Sequence, residues 1–116
     1  MSEAKTVKVS GEMPPATALR LAELVQYAQG SVVSRTIHKS QAGSITLFAF
    51  EKGEGLSEHS APFDAYVEVL EGRAELTIGG ERVDTAAGQT VRMPANVPHA
   101  LHASDRFKML LTMIRG

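Results

Sequence analysis

The stretch "VLEGRAELTIGGERV", residues 69–83, constrains the fold more than any other part of the chain. Two short runs alternate apolar with polar residues and meet at Glu71-Gly72, and a second tight turn follows at Gly79-Gly80. Glycine in such a turn supplies the left-handed backbone that a two-residue hairpin connection needs. Hairpins in series leave an apolar face and open strand edges, so they must close into a barrel or stack as a sandwich. The rest of the chain follows the same plan. "KTVKV", "SVVSRTIH", "SITLFAFE", "AYVEVLE", "QTVRMP" and "FKMLLTMI" read as strands, separated by turn-forming pieces such as "KGEG", "AAG", "PANVP" and "SDR". The expected class is all-β.

One segment departs from this pattern. "PPATALRLAELVQYA" opens on Pro14-Pro15, spaces Leu and Ala at helical intervals and stops at Gly30, which predicts a short helix or helical turn. Residues 1–30 are therefore read as an N-terminal arm and residues 31–116 as the barrel, within one structural domain. The chain has 116 residues, 43% hydrophobic and 22% charged, with a net charge of −1. A near-neutral balance without an aromatic-basic stripe gives no reason to expect nucleic acid or an anionic membrane as partner. The absence of cysteine excludes disulfides and thiolate metal sites. "MSEAKTVKVS" lacks an apolar signal core and no run reaches membrane-spanning length, so the cytoplasm is the expected compartment.

Two strands are apolar on both faces. In "SITLFAF", Ile45, Leu47 and Ala49 oppose Phe48 and Phe50. In "FKMLLTMI", Phe107, Met109, Leu111 and Met113 oppose Leu110 and Ile114. A half-exposed antiparallel strand alternates with polar residues, so the outer face must also be covered. A second subunit, making a homodimer, is the expected cover; the N-terminal segment is the alternative.

Of the four histidines, His59 follows the "KGEGLSE" turn and His99 lies in "MPANVPHALHA", where a Pro-rich turn meets a new strand. Two such histidines can converge in a barrel mouth, where neutral imidazole would suit Fe, Mn, Ni or Zn. The two segments resemble the paired motifs of the cupin superfamily, and more closely its small single-domain conserved-barrel members. The first motif aligns on Gly53, His59, Ala61, Ala65 and Gly72. The second aligns on Gly88, Pro94, Asn96, His99 and Ala103, and the spacing of both is kept without a gap. The resemblance implies a single antiparallel β-barrel of double-stranded jelly-roll type. It also implies a metal site at which this chain departs: Ala61 stands where the family has a second histidine, and Ala65 where it has a glutamate. His59 and His99 are the metal ligands left, and stable sites usually take at least three from the protein. Asn96 replaces a glycine and can still adopt a left-handed turn.

Strand parity gives no third ligand. An inward position 65 turns Val67 and Val69 inward, and Tyr66 and Glu68 outward; an inward His99 turns His102 away. Asp64 and Glu58 are off by one, with a bend at "SAPFD" able to re-aim either, and the face of His38 is open. The candidate ligand pocket comprises His59, Phe63, Val67, Met93 and His99. Phe63 reads first as a core plug, with part of a ligand wall as the alternative. The sequence therefore predicts a barrel that binds a small organic ligand in a mostly apolar pocket, with no cofactor expected. The alternatives are a metal-dependent cupin enzyme (dioxygenase, decarboxylase or isomerase) using His59, His99 and an unidentified third ligand, or a dimeric scaffold without catalysis.

Overall fold

A computed structural model of the chain describes residues 5–9 and 11–115. Among these described residues ten strands form two sheets: β1 (Lys5–Val9), β2 (Ser31–Ser40), β3 (Gly43–Phe50), β4 (Gly55–His59), β5 (Asp64–Glu71), β6 (Arg73–Ile78), β7 (Glu81–Ala86), β8 (Thr90–Met93), β9 (His99–His102) and β10 (Phe107–Ile114). The six-stranded sheet runs β1-β2-β3-β10-β5-β8 and the four-stranded sheet β4-β9-β6-β7. Every pairing is antiparallel except β1 with β2, which the intervening arm returns in the same direction. This is the all-β jelly-roll barrel that the sequence predicts. The turn at Gly72 depends on glycine twice over. Its φ is 78°, and a Cβ there would run into the backbone carbonyl of Arg106.

Inside the barrel, Phe50 and Phe107 stack at 4.5 Å between ring centroids. Val67, Val69, Leu76 and Met109 are buried around them, and Ala65, Met93, Leu101 and Ala103 belong to the same cluster. The predicted parity of β5 and β9 holds: Tyr66 and His102 are exposed.

The arm forms one 3-10 turn, Leu21–Glu23, and no longer helix among the described residues. The carbonyls that would extend a helix are taken by the sheet: Lys108 Nζ donates to Ala22 O at 2.6 Å and Arg35 Nη1 to Leu24 O at 3.1 Å. A helix this short gains little from propagation, so packing decides its form. The arm lies across the outer face of β3 and β10. There Val25, Val33, Leu47 and Ala49 make a second buried cluster, flanked by Leu21, Leu24, Tyr27 and Leu110. The double-sided apolarity of β3 thus finds its cover within the chain, the alternative to a second subunit.

Polar contacts pin the same arm. Tyr27 Oη donates to Glu71 Oε2 at 2.6 Å, and the Arg106 and Lys108 cations sit 4.4 and 4.9 Å from the Tyr27 ring centroid. Burial first, and then Glu71, push the Tyr27 phenol well above its ordinary range, so it remains a donor. Arg106 makes a two-point contact with Glu51, at 3.1 and 2.6 Å. No helix among the described residues is long and apolar enough to cross a membrane.

Candidate functional site

The barrel's open end is built by two connections, residues 60–63 between β4 and β5 and residues 94–98 between β8 and β9. Asn96, at φ 65°, takes the left-handed turn expected of it, and its N–H donates to Ala61 O at 2.8 Å, tying the connections together. His59 and His99 are cross-strand partners in the four-stranded sheet. Their rings meet edge-on with centroids 4.4 Å apart and Nε2 atoms 3.2 Å apart. The sequence singled these two out, and the fold brings them together.

Backbone carbonyls set the orientation of both rings. His59 Nδ1 lies 2.8 Å from Ser57 O and His99 Nδ1 lies 3.2 Å from Val97 O. Since a carbonyl only accepts, each Nδ1 carries the hydrogen and each neutral ring turns an Nε2 lone pair toward the other. His99 is 7% exposed. Burial lowers its pKa below the ordinary imidazole value, with the Val97 carbonyl opposing and His59 adding to the shift. Two acceptors converge at hydrogen-bond distance, where a shared proton satisfies both and the O–H or N–H of a ligand beside the pair can reach one of them.

A resident metal has a thin donor set here. Among the described residues no group of three or more His, Cys, Asp or Glu side chains is placed to hold an ion. Ala65 is buried in the interior cluster. Asp64 Oδ1 instead accepts the Ala95 N–H at 2.9 Å, and its Oδ2 lies 3.7 Å from Arg92. Glu58 and His102 are exposed, and His38 pairs with Ile45 on the outer face. Two imidazoles alone do not fit the three or four protein ligands of a stable site.

The other predicted pocket residues separate into floor and rim. Val67 and Met93 lie in the packed interior, at 0% and 3% exposure. Phe63 is half-buried, lies outside the interior cluster, and has the Arg115 guanidinium 4.8 Å from its ring centroid. It lines a cavity of about 230 Å3 on the six-stranded side of the mouth, together with Thr36, Lys39, Ser44, Thr46 and Met113. A second cavity of about 210 Å3, next to Asp64 and Tyr66, shares Phe63. Neither of these two cavities is lined by His59 or His99.

Sequence reasoning missed the polar half of the mouth. The alternation of Ser34 and Thr36 with Val33 and Ile37 was the available signal. The position of Lys39 was not available, because it depends on a bulge: Thr36 pairs with Thr46 but His38 with Ile45. One extra residue, Ile37, reverses the parity beyond it. Lys39 then pairs with Ser44, itself opposite the inward-facing Met113. Without the bulge His38 would face inward and Lys39 outward.

A two-sheet barrel, antiparallel but for β1, with paired histidines at its open end defines the class as a small jelly-roll barrel. The family model for the cupin domain matches residues 46–114, and the chain belongs to the cupin family. A conserved protein of unknown function from Streptococcus pyogenes is similar in structure, with a TM-score of 0.87 and 39% identity across 100% of this chain and 96% of that one. A cupin superfamily protein from Desulfitobacterium hafniense aligns with a TM-score of 0.86 and 29% identity, over 91% of this chain and 97% of its own. An uncharacterized protein of Streptomyces coelicolor is 36% identical over 59 residues. That match spans about half of each protein, 51% of this chain and 56% of the relative.

Proposed function

We propose that this cupin barrel binds a small organic molecule at its open end, with the His59–His99 pair as the polar handle and without a resident metal. The observation that carries this reading is the convergence of two Nε2 atoms at 3.2 Å, each oriented by a backbone carbonyl, above an apolar interior. Such a pair receives a proton or a ligand's hydrogen-bond donor, and the half-buried Phe63 and Met113 on the facing side of the mouth offer apolar surface to the rest of the molecule. The donor set supports the metal-free form, because Asp64, the nearest carboxylate in sequence to the missing ligand position, is engaged by Ala95 and Arg92.

Methyl-detected NMR with a library of small hydroxylated and carbonyl-bearing molecules tests the proposal. Binders are expected to shift the Met93 and Met113 methyl signals and to lose affinity in a His59→Asn/His99→Asn double variant. Binders that ignore both the methyls and the histidines would defeat it. Elemental analysis of untagged protein purified without chelator is the second arm, with Fe, Mn, Ni and Zn expected far below one equivalent. Near-stoichiometric metal that disappears on His99→Ala would replace this reading with the metal-dependent one.

A further inference from the structure

The six-stranded side of the mouth carries a second polar group that the histidine pair does not use. Lys39 and Arg115 both line the cavity of about 230 Å3, and among the described residues no Asp or Glu lines it with them. Among the described residues neither cation forms an ion pair, a state they share with Lys8, Arg35, Lys52 and Arg73; these two are set apart by lining one cavity together. Arg115 is held over the Phe63 ring, which orients a planar guanidinium while leaving its N–H edge open. The hydroxyls of Thr36 and Thr46 are 3.2 Å apart, so one donates to the other and the second keeps a free O–H. Ser44 adds another hydroxyl, and Met113 and Phe63 supply apolar wall.

Two cations without an ion pair among the described residues, free hydroxyl donors and an apolar wall are the complement of a small carboxylic acid. We propose that this cavity binds the carboxylate of a small organic acid, its anionic head on Lys39, Arg115, the one free threonine O–H and Ser44, and its apolar body on Met113 and Phe63. The inference rests on the small-molecule reading above and names the ligand class for the same mouth. A volume of about 230 Å3 is below the roughly 300–1,000 Å3 of pockets for drug-sized ligands, which selects a short-chain or single-ring acid. A planar carboxylate matches the guanidinium fork in two-point contact.

Isothermal titration calorimetry on the full chain at pH 7.5 and low salt tests this with sodium benzoate and sodium hexanoate, against benzyl alcohol and inorganic phosphate. At least one acid is expected to bind, with benzyl alcohol and phosphate each about tenfold weaker or more. Arg115→Gln and Lys39→Gln should each weaken the acid about tenfold, with circular dichroism and melting temperature unchanged. Binding of neither acid would overturn the inference, as would unchanged acid affinity in the Lys39→Gln/Arg115→Gln double variant. Phosphate binding more tightly than both acids would overturn it in favour of an inorganic anion. The His59→Asn/His99→Asn variant separates the two proposals. Acid binding that survives there but is lost with Lys39 and Arg115 keeps the acid cavity and removes the histidine handle; the opposite pattern removes the acid cavity alone.

Discussion

Two clusters of charged and aromatic residues sit on this barrel, and they differ in whether their charges are answered. On the outer face, Tyr27, Glu51, Glu71, Arg106 and Lys108 form a closed set. Lys108 is 6% exposed, donates to Ala22 O, and lies 3.9 Å from Glu71. Tyr27 and Arg106 are likewise engaged by carboxylates. At the mouth, Lys39 and Arg115 lack ion pairs among the described residues, and two imidazole lone pairs face each other. The first arrangement holds the arm to the sheet. The second leaves directional polar groups unmatched beside a cavity, which is what recognition of a ligand requires. Stability should therefore reside in the outer cluster and its apolar bed, and binding at the mouth.

The largest expected effect comes from the apolar bed. Leu47→Ala removes a fully buried side chain from between β3 and the arm and should lower unfolding free energy by about 2–5 kcal/mol in urea titrations. Met113→Ala at the half-buried mouth should lose less, and an equal loss there would erase the contrast. Next in size, Tyr27→Phe deletes the hydroxyl that donates to Glu71 and should cost about 1–2 kcal/mol. A neutral result would mean the closed cluster does not secure the arm.

A smaller effect is tied to pH. Burial holds the His99 pKa below the ordinary 6.5, so between the two values the unfolded chain binds more protons than the folded one. The contribution is fully present above about pH 6.5 and declines as pH falls toward the folded value. His99→Asn should flatten that part of the melting-temperature profile, and an unaltered slope would show that another group carries it. Smallest of all, Lys39→Gln and Arg115→Gln should change stability by no more than about 0.5 kcal/mol, since neither has an ion pair among the described residues to lose. A larger loss of stability would move these cations from the open class to the closed one.

Much of the mouth was legible because strand parity propagates. An inward Ala65 implies an inward Val67 and Val69, and an inward His99 implies Leu101 and an outward His102; each relation holds in the fold. Asn96 was legible for a local reason, as a residue able to take the left-handed turn that it adopts. The arm was partly legible. Its helical spacing shrinks to a single 3-10 turn because Lys108 and Arg35, remote in sequence, take carbonyls the helix would need. Phe63 reads from sequence as a core plug, yet the fold leaves it half-buried at the rim under Arg115, because it lies in the connection before β5 and outside the interior cluster.

What the sequence determined by itself is the set of relations that depend on near neighbours. Glycine and asparagine at the turns, the period of two in the strands and the spacing between the histidine-bearing segments specify the barrel and name His59 and His99. Tertiary structure alone decided the relations that depend on register. A single bulge at Ile37 exchanges His38 for Lys39 on the inner face, and β10 ends where Arg115 meets the Phe63 ring. Register is a property of paired strands, so no single strand's residues disclose it, and half of the mouth's chemistry follows from it.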